Sequence, residues 1–134
     1  MRIIAGPCQH ESVEQSLEIA RECKRVCDTL DIDYVFKASF DKANRTSILS
    51  NRGVGIEKGL KILEHLKKDL NINVITDVHE KGQCQDVAAV VDILQIPAFL
   101  CRQTDLLIKA ANTGKAVMVK KGQFLAPWEM SNIV

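Results

Sequence analysis

The residues best suited to chemistry form a cluster of cations and hydroxyls that directly follows a short apolar run. The apolar residues 34–36 lead into the sequence KASFDKANRTS at 37–47, which holds Lys37, Lys42 and Arg45 together with Asn44 and Thr46. Lysine offers a point charge, and arginine offers a planar fork of N–H donors that matches a phosphate group. The cluster therefore indicates a site for a sugar phosphate or a phosphorylated acid, although a solvated basic loop would have the same composition.

Reactive side chains also follow the other apolar runs. They are Cys8, Asp77 with His79, Gln95, Arg102, and Lys120 with Lys121. Asp77 and His79 could act as an acid–base pair or as metal ligands, and they share a face only if the strand continues through both. A second cationic strand end at Lys120 indicates a substrate pair that carries two or more anionic groups.

Two of these side chains could have a purely structural role instead. Cys8 could ligate a metal or act as a nucleophile, but a buried inert thiol is the commoner role of a cysteine. Gln95 could bind a carboxylate or hydroxyl of a ligand, or it could satisfy main-chain groups near Pro97.

Short apolar runs alternate with amphipathic segments along the chain. The spacing predicts strands at 3–6, 34–38, 74–78, 92–97 and 116–120, and helices at 13–30, 56–70, 83–91, 104–112 and from 126. Ser12 is a predicted N-cap, with Gln15 completing a capping box. The order βαβαβαβαβα predicts an α/β fold with a parallel sheet, buried on both faces and joined by right-handed crossovers.

An open doubly wound sheet and a (β/α)8 TIM barrel both fit this order. A barrel gathers all its strand ends around one site, whereas an open sheet concentrates function at one switch point. Polar or special residues at all five strand ends favour the barrel. A complete barrel needs about 250 residues, so the 134 residues present supply about five βα units. We expect residues 1–134 to be the truncated N-terminal part of a single barrel domain.

Composition limits the class of protein. The net charge is +1, with 46% hydrophobic and 26% charged residues, which is typical of a globular domain and excludes a disordered tail or a polyanion binder. Five cysteines without a CxxC pair indicate a reducing compartment. We expect no signal peptide, and no apolar run reaches a membrane-spanning length. We expect a cytoplasmic protein with no nucleic-acid or membrane partner.

Five motifs together carry a specific resemblance. They are AGPC at 5–8 with Glu11-Ser12, FKASFDKANR at 36–45, TDVHE at 76–80, QIPAFLCRQTD at 95–105 and VKKGQFLAPW at 119–128. Across almost the whole chain the sequence resembles the 3-deoxy-D-manno-octulosonate 8-phosphate synthase family, also called 2-dehydro-3-deoxyphosphooctonate aldolase. The resemblance implies a homotetrameric barrel. Such an enzyme condenses phosphoenolpyruvate with D-arabinose 5-phosphate and water for lipopolysaccharide biosynthesis.

The resemblance also implies roles for individual residues. Those that would line the phosphoenolpyruvate and central site are Lys37, Lys42, Gln95 and Lys120. Those that would hold the arabinose phosphate are Asn44, Arg45 and Thr46, with Arg102 contributing across a subunit boundary. Asp77 and His79 are the candidates for activating water. Two positions depart from the family pattern: His10 stands where an aliphatic residue is preferred, and Thr46 stands where serine is usual.

A divalent metal cation is implied by one further feature. In this family a cysteine after Gly-Pro marks the metal-dependent branch, so Cys8 is the expected ligand. The other ligands of the family, a histidine, a glutamate and an aspartate, belong to later strands that these residues do not include. We therefore expect the chain alone to be inactive.

Two alternative functions stay open on the sequence. The related 3-deoxy-arabino-heptulosonate 7-phosphate synthases carry Lys-Pro-Arg-Thr where this chain has Lys-Ala-Asn-Arg at 42–45, which ranks that reading lower. The second alternative is a non-catalytic half-barrel, either a truncated gene product or a part that works only with a complementary chain.

Overall fold

Five strands alternate with four α-helices along the chain. The structure is a computed structural model that describes all residues from 1 to 134. The strands are β1 (Arg2–Gln9), β2 (Asp33–Ser39), β3 (Asn73–Asp77), β4 (Ile93–Ile96) and β5 (Ala116–Val119), and the helices are α1 (Val13–Thr29), α2 (Ile56–Leu70), α3 (Gln83–Val90) and α4 (Thr104–Ala111). Two short 3-10 helices cover Ala98–Leu100 and Pro127–Asn132. The predicted alternation is confirmed, and α2 has the predicted bounds.

The chain divides into two compact units, Met1–Thr76 and Asp77–Val134. In the first unit β2 pairs in parallel with β1 on one side and with β3 on the other. This spatial order equals the chain order, as in a barrel, whereas a flavodoxin-like sheet would place β1 in the middle. The unit is therefore built of successive parallel βα segments.

Burial explains why the first unit holds together. The β2 side chains Val35 and Phe36 and the α2 side chains Leu63 and Leu66 have no exposed surface. Helix α1 packs on β1, on β2 and on α2. Each fully buried aliphatic or aromatic side chain stabilises the fold by about 1.5–3 kcal/mol, so this core fixes the C-terminal end of β2.

Helix α1 begins at the predicted cap. The Ser12 hydroxyl accepts a hydrogen bond from the Gln15 main-chain N–H at 3.0 Å. The Gln15 side-chain nitrogen donates to the Glu11 carboxylate at 3.3 Å, and Gln15 Oε1 accepts no hydrogen bond from the Ser12 main-chain N–H. The predicted N-cap is confirmed. The prediction that Gln15 completes a capping box is wrong, because the Gln15 side chain is hydrogen-bonded to the neighbouring Glu11 carboxylate instead.

The second unit is a smaller parallel arrangement. Strand β4 pairs in parallel with β5, and α3 packs on β4 and α4 packs on β5. The segment predicted as a helix from 126 is a 3-10 helix over Pro127–Asn132. Its large side chain Trp128 is 77% exposed, so the segment lacks the buried apolar face that stabilises most α-helices.

Burial on both faces holds for only part of the sheet. Strands β2, β3 and β4 are mainly buried, as their continuous apolar sequences predict. Strand β1 instead alternates between exposed and half-buried residues, and β5 has no fully buried residue. The prediction is wrong for these two strands: one face of β1 is exposed, and β5 is half-buried at three of its four positions.

None of the helices combines the length and the apolar character that crossing a bilayer would require.

Candidate active site

A glycine sets the geometry at the end of β1. A Cβ atom added at Gly6 would lie 2.0 Å from the carbonyl oxygen of Lys37, so only glycine lets the two strands approach there. The register between β1 and β2 shifts between Ala5 and Cys8. Cys8 has a left-handed backbone conformation with φ 67°. Residues other than glycine adopt this conformation only at an energetic cost. The irregularity brings Cys8 opposite Ala38 near the end of β2.

Two lysines converge on one buried hydroxyl at the end of β2. The Lys37 ammonium donates to Ser39 Oγ at 3.0 Å, and the Lys42 ammonium donates to the same oxygen at 2.8 Å. Ser39 is fully buried, and it shares a face of β2 with Lys37 because strand side chains alternate. The shared acceptor holds two positive charges close together, which suits an anionic ligand.

A buried histidine lies behind this lysine pair. The His10 main-chain N–H donates to the Ser39 carbonyl at 3.1 Å, and its ring stacks on Phe36 at 6.0 Å between centroids. Its Nδ1 lies 3.0 Å from Ser16 Oγ. The Ser16 hydroxyl donates its proton to the Ser12 carbonyl at 2.9 Å. Ser16 must therefore accept from His10, so the ring carries its proton on Nδ1.

The surroundings of His10 keep the ring neutral. Burial and, to a smaller extent, the Lys37 charge lower the pKa of His10 from 6.5 to about 4, because both disfavour the imidazolium. Nε2 is buried and has no hydrogen-bond partner among the protein groups. His10 therefore adds no third cation to the site at neutral pH.

The loop between β2 and α2 contains two arginines with different partners. The Arg52 guanidinium donates to both carboxylate oxygens of Asp41, at 2.9 and 2.6 Å. The Arg52 carbonyl accepts from the Lys42 main-chain N–H at 2.6 Å. This bidentate ion pair neutralises Arg52 and closes the base of the loop.

Arg45, in contrast, contacts neutral oxygens. Its Nε donates to the Asn51 carbonyl at 2.9 Å and its Nη2 donates to Gln9 Oε1 at 2.7 Å. The predicted ligands Asn44 and Thr46 lie next to it in the loop and are exposed, as is Arg45. The loop therefore presents a positioned positive charge with hydroxyl and amide groups beside it.

In the second unit the structure joins two predicted site residues. Gln95 Nε2 donates to Asp77 Oδ1, and both residues are at least nine-tenths buried. The Gln95 carbonyl accepts from the Val78 main-chain N–H at 3.0 Å. The side chain of Gln95 thus serves a carboxylate of the protein, which neither sequence interpretation anticipated.

His79 is less closely tied to that pair. Strand β3 ends at Asp77, so the continuous strand that would put Asp77 and His79 on one face is not present. The His79 main-chain N–H donates to Gln83 Oε1 at 2.8 Å. The half-buried side chain lines a cavity of about 330 Å³ together with Leu100 and Asp105. Asp105 pairs with Lys81 at 3.0 Å and does not cap α4.

The remaining cations of the second unit have separate roles. Arg102 is exposed and lines a cavity of about 420 Å³ with Leu107, Leu125 and Ile133 among its walls. Lys120 follows β5 and is exposed. Lys121 instead donates to the carbonyls of Gly122 and Leu125, both at 2.8 Å. Lys121 therefore stabilises the loop after β5 through these two carbonyls.

The donors present do not complete a metal site. Cys8 is exposed, and none of the five cysteines forms a disulfide. No group of three or more histidine, cysteine, aspartate or glutamate side chains is placed to hold a metal ion. A catalytic zinc site, for comparison, takes three protein ligands. Cys8 could supply one ligand, and the others would have to come from outside residues 1–134.

Three site residues escaped prediction from the sequence. Ser39 could have been found from the sequence, because residues two apart on a strand share a face and Ser39 is two residues after Lys37. Gly6 was part of a motif but had no assigned role. Gln9 had no signal, because its partner Arg45 is 36 residues away.

Comparisons with known proteins show the family of the chain. The sequence model of the DAHP synthetase I family matches residues 1–134. Three curated relatives named 2-dehydro-3-deoxyphosphooctonate aldolase come from Fusobacterium nucleatum, Rickettsia typhi and a Synechococcus strain, at 66%, 60% and 59% identity. The aligned regions cover 98%, 98% and 100% of this chain and 48%, 48% and 47% of the relatives. The chain spans about half the length of the curated relatives it matches.

Proposed function

The chain belongs to the DAHP synthetase I family, a family of (β/α)8 barrels, and on that premise we propose that it forms part of a 3-deoxy-D-manno-octulosonate 8-phosphate synthase. The observation that carries the proposal is the convergence of Lys37 and Lys42 on Ser39, at 3.0 and 2.8 Å. The names of the relatives support the eight-carbon product over the heptulosonate alternative.

The proposed substrates are those that the family of the named relatives implies, and the charges of the site suit them. Phosphoenolpyruvate carries a carboxylate and a phosphate, and the Lys37–Lys42 pair would bind one of these groups. Arg45, with Asn44 and Thr46, would bind the phosphate of D-arabinose 5-phosphate by charge-assisted hydrogen bonds. Within the second unit, Gln95, Arg102 and Lys120 are proposed to supply substrate-binding groups, as the family resemblance implies.

The reaction forms one carbon–carbon bond and releases one phosphate. The π electrons of phosphoenolpyruvate form a bond from C3 to the aldehyde carbon of the sugar, and the aldehyde oxygen takes a proton. The oxygen of water adds to C2, and one proton of that water leaves to a base. The bond between C2 and the phosphate oxygen then breaks, the new C2 hydroxyl gives its proton to the departing phosphate, and a ketone and inorganic phosphate remain. The lysines would stabilise the negative charge of the reactants.

Asp77 is the better placed candidate for receiving the proton from water. Its carboxylate is buried and oriented by Gln95, as a general base requires. His79 is the second candidate and lies just beyond β3. A divalent metal with Cys8 as one ligand is part of the proposal, and it would supply Lewis-acid charge stabilisation when bound. Because residues 1–134 lack the other metal ligands expected for the family, the isolated chain should not convert the substrates to product.

We also propose that the protein is a cytoplasmic homo-oligomer that needs no nucleic acid or membrane. Five cysteines outside disulfides suit a reducing compartment. Phe99, Phe124 and Trp128 in the second unit are 57%, 57% and 77% exposed, and exposed aromatic side chains of this size are typical of protein interfaces. Sedimentation analysis that found only monomers at micromolar concentration would contradict association.

The experiment measures both binding and turnover in the purified chain. Calorimetric titration with phosphoenolpyruvate and with arabinose 5-phosphate should show saturable binding of each. Phosphate release should be absent with or without divalent metal. Release with arabinose 5-phosphate would support the reaction and contradict the inactivity of the chain. Preference for erythrose 4-phosphate, or binding of neither substrate, would overturn the proposed function.

A further inference from the structure

We propose that Gln9 is a positioning residue that orients Arg45 for a phosphate monoester without neutralising its charge. The inference rests on the proposed function for the identity of the ligand, and on the geometry at the end of β1 for the role of the glutamine. Gln9 lies at the end of β1, next to Cys8 and half-buried.

The hydrogen bonds leave one edge of Arg45 available. A guanidinium has five N–H donors in a fixed plane. One is used at Nε by the Asn51 carbonyl at 2.9 Å, and one at Nη2 by Gln9 Oε1 at 2.7 Å. Three donors remain, and they include both of those on Nη1. Two anchors on a planar group fix its orientation, so these donors are presented as a fork for phosphate oxygens.

The charge of the anchor matters as much as its position. Arg52 in the same loop is held by the Asp41 carboxylate through two bonds of 2.9 and 2.6 Å, which offsets its positive charge. Arg45 is held by an amide oxygen and a carbonyl oxygen, and neither carries a formal charge. In this loop Arg52 therefore has a structural role in an ion pair, whereas Arg45 is oriented by neutral groups and keeps its positive charge for a ligand. Glutamine at position 9 achieves this where glutamate would not.

The consequence is discrimination by charge. An oriented cation with open donors favours a phosphate dianion over a neutral sugar hydroxyl. The bond between Gln9 and Arg45 also links the end of β1 to the loop before α2, and the two residues are 36 positions apart in the chain. Gln9 should therefore determine affinity for the phosphorylated sugar through Arg45, without contacting the ligand itself.

The test compares Gln9→Ala and Gln9→Glu in the purified chain, with Gln85→Glu as the matched control. Gln85 is exposed on α3, so its substitution adds the same negative charge away from Arg45. Calorimetry would measure binding of inorganic phosphate, of arabinose 5-phosphate and of arabinose. Gln9→Ala should weaken binding of both phosphates about three- to tenfold, the worth of one hydrogen bond. Gln9→Glu should weaken it more, by about tenfold or above, because its carboxylate competes for the guanidinium.

A stability measurement separates positioning from a merely structural role. Gln9→Glu can form an ion pair with Arg45, so its unfolding midpoint should equal or exceed that of the parent while its phosphate affinity falls. If Gln9 had only a structural role, the phosphate affinity of each variant would instead rise or fall with its unfolding midpoint. Equal phosphate affinity in the parent and in both Gln9 variants would overturn the inference, as would a parent chain that binds no phosphate.

The same titrations keep the two proposals distinguishable. If Gln9→Glu weakens inorganic phosphate but the parent shows no preference for arabinose 5-phosphate over inorganic phosphate, the positioning role stands and the proposed substrate is wrong. If arabinose 5-phosphate binds tightly and the Gln9 variants leave its affinity unchanged, the substrate stands and the positioning role is wrong.

Discussion

Gly6 lies so close to the carbonyl oxygen of Lys37 that no side chain fits between them, since a Cβ there would be 2.0 Å from that oxygen. We predict that Gly6→Ala separates β1 from β2 at this point and displaces Lys37. The expected loss in the free energy of unfolding is about 3 kcal/mol or more, at the upper end for overpacking. Urea denaturation followed by circular dichroism would measure it.

Gly82→Ala is the matched control for that substitution. Gly82 precedes α3 with φ −62° and ψ −28°, and nothing lies within 4 Å of a Cβ at this position. Alanine is compatible with that backbone and should stabilise the chain by about 0.4–1 kcal/mol. Equal losses in the two variants would contradict the special role of Gly6.

Two lysine substitutions should have opposite consequences. Lys42→Met removes one of the two ammonium groups on Ser39 and should weaken phosphoenolpyruvate binding about tenfold or more, with little change in stability. Lys121→Met removes the donor to the Gly122 and Leu125 carbonyls, and should cost about 1–3 kcal/mol of stability without changing affinity. Calorimetry and thermal unfolding of both variants would test this. An unstable Lys42→Met chain would argue that Lys42 is structural.

His10 should make the protein sensitive to acid. Its pKa is lowered from 6.5 to about 4, so between these pH values the unfolded state binds a proton that the folded state does not. The free energy of unfolding should therefore fall by about 3 kcal/mol from this group as the pH drops from 6.5 to 4. His10→Leu should lack that part of the decline, which urea titrations at pH 7 and 4.5 would show.

The exposed His65 on α2 provides the control for this pH profile. His65→Gln should retain the decline of the parent, because the ring is not buried. The interpretation of His10 fails if His10→Leu and the parent lose stability in parallel between pH 7 and 4.5.

Gln95→Glu would place a second carboxylate against Asp77 in a buried setting. Two adjacent carboxylates cannot both ionise cheaply, so one pKa rises above its value in the unfolded chain. The destabilisation should then be large at pH 8, about 3–5 kcal/mol, and should shrink as the pH falls towards 5 and one carboxyl protonates. The exposed Gln85→Glu change should show no such pH dependence. A constant deficit for Gln95→Glu would contradict the contact with Asp77.

Local chemistry explains which features could be predicted from the sequence. The bounds of α2 follow from apolar spacing, and the Ser12 cap follows from the side chain that precedes α1. The convergence near Lys37 and Lys42 follows from strand termination. Lys120 and Lys121 could not be told apart, because adjacent residues of the same type differ only in the carbonyls that folding brings to one of them. The pairing of Gln9 with Arg45 depends on where the end of β1 meets a loop that is distant in the chain, which no local pattern encodes.

The loop that carries Arg45 has a closed base and an open tip. The Arg52–Asp41 pair and the bond from the Gly55 N–H to the Phe40 carbonyl, at 3.0 Å, tie its base. Ile48 and Leu49 at its tip are 98% and 91% exposed. The tip is thus a natural attachment point for a reporter: a fluorophore at Ile48 would stand three residues from Arg45 without disturbing the bonds that hold the base. Such a labelled chain would turn anion binding into an optical signal.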